Sequence, residues 1–162
     1  MLKGIGMIIL GLVMLAVPIC KNIEFKQECS GYLKQAADAN TVELASNRLD
    51  IAVKYLEENG LTRGYTSVFY KTEDENIGYW YRNLKACQGE LAAAKGASQL
   101  EKTNVLMKIR ESLTDDGKSG TVLTIPSGLY KYPNNVAYGT LQIVGILLIF
   151  VGLAFVSDEN LW

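Results

Sequence analysis

The residues of this chain with the greatest capacity for chemistry are three cysteines, Cys20, Cys29 and Cys87. They are widely spaced, none forms a C-x-x-C pair, and the sequence has no histidine. Zinc and iron–sulfur sites need closely spaced cysteine or histidine ligands. We therefore expect no metal site. Outside the cytoplasm, Cys29 and Cys87 could form a disulfide; the alternative is that both pack as buried thiols.

The acidic clusters and the single glycine-lysine motif do not form a catalytic pattern. Glu57-Glu58, Glu73-Asp74-Glu75 and Asp115-Asp116 lack the alternating oxygen ligands and the glycine of a calcium loop, so we interpret them as helix caps and solvated faces. Gly117-Lys118-Ser119-Gly120 lacks the upstream glycine of a phosphate-binding loop. With no nucleophile–base pair visible, we expect no cofactor and no enzyme activity.

Two apolar blocks at the ends of the chain decide where these residues lie. Gly4–Cys20 and Tyr132–Ser157 contain no charged residue, and about 20 apolar residues suffice to cross a hydrocarbon layer as a helix. We predict transmembrane helices over 1–20 and 137–157, with a short tail over 158–162. The first block lacks a clean cleavage site, so we interpret it as a retained anchor.

Two spans put both termini on one side of the plasma or inner membrane. Lys3 favours a cytoplasmic start under the positive-inside rule, which makes 21–136 extracytoplasmic. Acidic and basic residues balance in that segment, whereas nucleic acids bind proteins with a basic excess. We expect lipid as a partner and no nucleic acid.

Four glycines could join the spans to each other or to neighbouring chains. Gly4 and Gly11 are seven residues apart, as are Gly145 and Gly152, so each pair lies on one helix face. Small residues allow close helix packing in lipid, although glycine is also common in membrane helices. Gln142 is a candidate contact between helices, since an amide in lipid needs a partner; alternatively it lies at interface depth.

The segment 21–116 has the pattern of an all-α domain. Apolar stripes with 3-4 spacing run along Val42–Leu56 and Ile77–Ala94, and we expect them to pair as an antiparallel hairpin with its tip at about 60–73. The hairpin could be a tall coiled-coil stalk or, with breaks near Asn40 and Gly96, a compact four-helix bundle. The absence of proline at either break favours the stalk. We expect 117–136 to be irregular, without a real sheet.

Six aromatic residues gather at this tip. Trp80 lies on the core stripe and should pack inside. The other five are candidate partner contacts, because exposed tyrosines bind well at interfaces: Tyr65, Phe69, Tyr70, Tyr79 and Tyr81. The alternative, which we favour, is that the connector folds back and buries most of the rings.

The order of span, helical domain and span resembles the sensory half of a bacterial chemoreceptor in its layout. Only five residues follow Ser157, so we expect any signal to pass to another subunit. Our first hypothesis is an accessory or structural subunit of a larger membrane assembly or homo-oligomer. Two alternatives remain: a sensor-like module that binds a partner or small ligand outside the cytoplasm, and a small phage or host factor of the holin, antiholin or exclusion type.

Overall fold

The computed structural model describes residues 2–117 and 120–158, which are mostly helical and fall into two compact units. One unit comprises the residues up to Ile23 with those from Tyr130 onward, and the other runs from Glu24 to Leu129. The helices are α1 (Leu2–Phe25), α2 (Gly31–Ala37), α3 (Val42–Glu58), α4 (Ile77–Ala93), α5 (Gln99–Leu113) and α6 (Asn135–Asp158). The strands are β1 (Thr114–Gly117) and β2 (Gly120–Leu123). Of the predicted tail over 158–162, Asp158 is the last residue of α6, and residues 159–162 lie outside the described residues.

Two helical stretches are long and apolar enough to cross a membrane, Leu2–Ala37 and Asn135–Ser157. Most of their large apolar side chains are exposed. Examples are Ile9, Leu12, Ile143, Leu147 and Phe150. Such a surface is unfavourable in water and favourable against hydrocarbon. The composition and the exposure of these helices therefore agree with two candidate membrane spans.

The second unit is built around an apolar core supplied by four helices. α3 packs against α2 and α4, and α5 packs against α2, α3 and α4. The stripe residues Val42, Ala45, Leu49, Ala52 and Leu56 are buried, and so are Ile77, Trp80, Leu84, Cys87 and Leu91. This burial confirms the two stripes predicted from the 3-4 spacing.

The prediction of an uninterrupted stalk is wrong, because the helix is interrupted although no proline stands at the break. α2 ends at Ala37 and α3 begins at Val42, so 21–59 is not one helix. Thr41 caps α3 by accepting a hydrogen bond from the Leu44 N–H at 3.2 Å. A second break follows Ala94–Gly96, where Ser98 and Glu101 form a capping box at the start of α5. N-capping side chains thus begin a new helix after each break, and α2 packs on α3 and α5 on α4.

The segment after α5 contains regular structure that we did not expect. β1 and β2 form an antiparallel two-stranded sheet in which Thr114 pairs with Leu123 and Gly117 with Gly120. Asp115 and Asp116 have turn-forming side chains, yet both lie in β1. Their backbone groups pair with Val122 and Thr121, and β-branched residues favour strands. The partner strand therefore overrides the local turn preference.

Candidate functional site

The four predicted glycines of the first unit lie opposite one another on α1 and α6. Gly4 faces Gly152 and Gly11 faces Gly145, so the two helices run antiparallel, and all four residues are buried. A Cβ built on Gly11 would lie 2.5 Å from the Gly145 carbonyl oxygen, and one on Gly4 would lie 2.7 Å from that of Gly152. Only hydrogen fits at these positions, so the helix backbones touch.

Two other glycines in the same helices have open surroundings. A Cβ on Gly6 or on Gly139 would meet nothing within 4 Å. The close approach is therefore specific to the glycine seam, which we define as Gly4, Gly11, Gly145 and Gly152.

Gln142 has a polar partner within its own unit. The Lys131 ammonium, in the 3₁₀ turn Leu129–Lys131, donates a hydrogen bond to Gln142 Oε1 at 3.4 Å. The same ammonium lies 5.4 Å from the centre of the Tyr130 ring. This bond runs from α6 to the segment just before it, not to α1. It matches a side chain near an interface, where a lysine extends along apolar surface.

The connector between α3 and α4 is a projecting loop with an anchored base. Thr66 N–H donates to the Glu75 carbonyl at 3.1 Å, and Ile77 N–H donates to that of Gly64 at 2.9 Å. Asn76 Nδ2 donates to the Tyr65 hydroxyl at 3.2 Å and Asn76 Oδ1 caps α4. These bonds close the base and leave 67–72 projecting from it.

This loop exposes the aromatic residues that we expected it to bury. Phe69 is 94% exposed and Tyr70 is 79% exposed. The expectation that the connector folds back over its rings is wrong for these two, because the short base fixes where 67–72 can reach. We call Val68, Phe69 and Tyr70 the aromatic loop.

The other candidate contact residues differ in their exposure and in the groups that they contact. Tyr79 lies in the first turn of α4 and is 56% exposed. Tyr65 is half-buried at the loop base, where the Lys71 ammonium lies 5.2 Å from its ring centre. Tyr81 is half-buried and donates a hydrogen bond to Glu57 Oε1 at 2.5 Å, which ties α4 to α3. Only Phe69, Tyr70 and Tyr79 are free to present most of their rings.

The bond between Tyr81 and Glu57 shifts the pKa values of both groups. Donation to the carboxylate raises the pKa of Tyr81 to about 12 from its ordinary 10.0. The same bond, with a smaller effect from Lys85, lowers the pKa of Glu57. A neutral phenol and an ionised carboxylate are the forms that bond best, so both shifts follow from one contact.

A groove of about 660 Å³ lies beside the start of α4. Glu73, Asp74 and Asp115 contribute carboxylates, and Tyr79 and Trp80 contribute aromatic rings. No pattern in the sequence predicts this groove, and the interpretation of its acidic residues as caps and solvated faces does not anticipate it. Glu73 and Asp115 lie more than one helix apart in the chain, and no local pattern links them.

The segment after β2 forms the far wall of this groove. Thr124 N–H donates to the Leu113 carbonyl at 3.0 Å, and the Thr124 hydroxyl donates to the Ser112 carbonyl at 3.2 Å. These bonds fix Thr124 beside the end of α5, and the next two residues, Ile125 and Pro126, line the groove. The wall is therefore fixed by backbone bonds rather than by contacts that a ligand must create.

Cys29 and Cys87 are buried free thiols in the structure, not a disulfide. Cys29 lies in the π-helical turn Lys26–Ser30, which packs on α3. Cys87 lies on α4, where burial raises the pKa of its thiol and Ser112 of α5 is a hydrogen-bond partner. The two side chains thus belong to different helix contacts. In the part of the chain that the structure describes, no group of three metal-ligating side chains occurs.

No protein-family model matches this chain, and neither a curated protein nor a solved structure matches it.

Proposed function

We propose that this chain is a non-enzymatic accessory or structural subunit of a larger membrane assembly. α1 and α6 anchor it in the lipid of a plasma or inner membrane, and the unit Glu24–Leu129 contacts a partner protein. The observation that carries the proposal is the aromatic loop, because Phe69 and Tyr70 are exposed on a base closed by backbone hydrogen bonds. Exposed aromatic residues on an ordered support are typical of protein interfaces.

The core of the same unit closes without these rings, which supports a role for them in binding a partner rather than in folding. Leu56, Leu61 and Ile77 are buried at the root of the connector, so the helices close without the aromatic loop. A phenylalanine and a tyrosine left in water bring no folding stability, whereas at an interface each can bury about 150–250 Å². A role in binding a partner therefore accounts for their exposure better than a role in folding does.

The glycine seam supports a fixed pair of spans. Backbone contact along Gly4/Gly152 and Gly11/Gly145 uses one face of each helix, while Ile143 and Leu147 point outward. Such outward faces can contact lipid, a second copy or another membrane subunit. We propose that the spans are one packed hairpin that joins the larger assembly as a unit.

In the proposed topology both termini are cytoplasmic and residues 21–136 are extracytoplasmic, with the helical unit working as a compact four-helix bundle. Trypsin added to spheroplasts should then cut beside exposed Arg63 or Lys71 without permeabilisation. Cleavage that requires permeabilisation would place the unit in the cytoplasm and contradict this topology.

The partner contact is tested by photocrosslinking in native membranes. A benzophenone side chain at position 69 should give a heavier adduct, and the same group at position 100 should not. Leu100 is the matched control, because it is 71% exposed on α5 and lies outside the aromatic loop. The double variant Phe69→Ala, Tyr70→Ala should lose the partner on mild-detergent purification, whereas Leu100→Ala should keep it. Retention of the partner by the double variant would overturn the proposal.

A sensor-like binding module remains the second candidate, and the groove beside α4 favours it. A small ligand held there would contact Tyr79, Trp80 and Asp115. The groove is flanked by exposed side chains, whereas small-molecule sites usually enclose most of the ligand. We therefore rank this function below the protein contact.

A further inference from the structure

The described lining of the groove beside α4 carries charge of one sign. Among the residues that the structure describes, this lining contains three carboxylates, those of Glu73, Asp74 and Asp115, and no lysine or arginine. Glu73 Oε2 accepts a hydrogen bond from Asn76 Nδ2 at 3.1 Å, and Asp115 Oδ1 accepts one from the Asp116 N–H at 2.8 Å. Both partners are neutral, so these two bonds do not neutralise the carboxylates. Each carboxylate can accept further hydrogen bonds, and the groove is therefore complementary to a cation.

The remaining lining residues indicate what kind of cation would fit the groove. Tyr79 presents an exposed ring, and Trp80 is 7% exposed, which leaves an edge of its indole at the groove. Ile125 and Pro126 provide apolar surface on the opposite wall. A side chain with an apolar stem and a charged end suits this combination, because the stem packs on apolar walls while the charge meets the carboxylates and the rings.

The position of the groove favours a cation that belongs to a protein. The 3₁₀ turn Glu73–Glu75 begins three residues after Tyr70 and supplies two of the three carboxylates. Glu73 and Asp74 are exposed, so these two carboxylates are accessible from solvent. A partner segment that covers Phe69 and Tyr70 can continue into the groove, whereas a free small cation would remain largely in water.

We infer that this groove receives an arginine side chain from the partner that covers the aromatic loop. The guanidinium is preferred over an ammonium because it is planar, weakly hydrated, stacks on aromatic rings and forms paired bonds to carboxylates. The inference rests on the proposed function, since it gives the chemistry of the same partner. The partner contact is then an apolar patch on the aromatic loop next to one arginine seated in the groove.

The test uses the full chain in mild detergent with Trp162→Phe, which leaves Trp80 as the single tryptophan. The probe is the peptide acetyl-Ala-Arg-Ala-Arg-Ala-amide, followed by Trp80 fluorescence. Binding should be saturable and should weaken with added salt. Replacement of both arginines by citrulline, which keeps the shape and removes the charge, should abolish it. Asp74→Asn with Asp115→Asn should weaken binding about tenfold, since each exposed charge pair contributes only modestly to the affinity.

The control variant is Glu111→Gln, which removes an exposed carboxylate of α5 that is outside the groove lining and should leave binding unchanged. Circular dichroism of each variant verifies folding. Equal binding by the wild-type chain and the aspartate variant would overturn the inference, and so would binding of spermidine with no binding of the arginine peptide. Spermidine selectivity would assign the groove to a small organic cation.

Failure of this inference and failure of the proposed function are distinguishable. If the aspartate variant keeps the crosslinked partner at position 69, the partner exists but does not use the groove. If no adduct forms at position 69 while the peptide binds through Asp74 and Asp115, the groove binds cations and the proposed partner contact is wrong.

Discussion

Gly11 and Gly145 touch through their backbones, because a Cβ on Gly11 would lie 2.5 Å from the Gly145 carbonyl oxygen. The reverse contact is also tight, at 3.0 Å from a Cβ on Gly145 to the Gly11 carbonyl oxygen. Neither neighbouring atom belongs to a flexible side chain, so a methyl group can enter only if the helices separate. The distance between α1 and α6 is thus set by the absence of a side chain at these two residues.

Alanine substitution in the glycine seam should destabilise the paired spans. Gly11→Ala or Gly145→Ala should each cost about 1–3 kcal/mol of unfolding free energy, the usual cost of overpacking. Gly6→Ala and Gly139→Ala are matched controls with open space around the new Cβ. They should be neutral or slightly stabilising, since alanine favours helix more than glycine does. Unfolding in mixed detergent measures the four variants, and equal stabilities would contradict the close packing.

Tyr81 should ionise at a higher pH than a free phenol does. Its pKa is raised to about 12 by the bond to Glu57. The bond therefore contributes stability that is fully present below pH 10 and is lost as pH rises through about 12. Ultraviolet titration of tyrosinate should show a late-ionising group that disappears in Tyr81→Phe. Tyr79→Phe, which removes a neighbouring exposed phenol, should leave the late group in place.

The part of the fold that follows from the sequence is the part governed by side-chain periodicity. The stripe from Ile77 to Leu91 is buried as its spacing predicts, because a single face of α4 must meet the core. The stripe also predicts which ring of the aromatic cluster points inward, namely Trp80. The topology of the chain across the membrane remains a prediction.

The features that the sequence did not predict depend on contacts between distant residues. The helix that follows the first break begins with Thr41 as its N-cap, and whether such a cap forms depends on what the preceding helix packs against. The pairing of β1 with β2 overrides turn-forming aspartates. The groove joins Glu73 to Asp115 through the packing of α4 with α5. None of these contacts has a signature within a short window of one sequence.

The base of the aromatic loop depends on two separate roles of Asn76. Its Oδ1 accepts the Tyr79 N–H at 3.0 Å, and its Nδ2 donates to Tyr65 and Glu73. Asn76→Ala should remove both roles and cost about 1 kcal/mol, the typical value of an N-cap. Asn76→Asp keeps an accepting oxygen and loses the donor.

Hydrogen exchange separates these roles. In Asn76→Ala, amides at the start of α4 and at the loop base should both exchange faster. In Asn76→Asp, the start of α4 should stay protected while the Thr66 amide exchanges faster, because the base loses its side-chain bond. If both variants leave Thr66 unchanged, the backbone bonds alone anchor the loop.

The three cysteines should remain reduced even when the protein is prepared from an oxidising compartment. Cys29 and Cys87 are buried free thiols at different helix contacts, and Cys20 is exposed. Burial raises the pKa of Cys87 and so lowers its thiolate fraction, which slows oxidation and alkylation.

Denaturation without reductant, followed by maleimide labelling and mass spectrometry, should therefore give three adducts per chain. In the native protein Cys29 and Cys87 should stay unlabelled. A product with one adduct, rising to three after reduction, would mean that Cys29 and Cys87 do pair and that α2 and α4 pack differently from the arrangement described here.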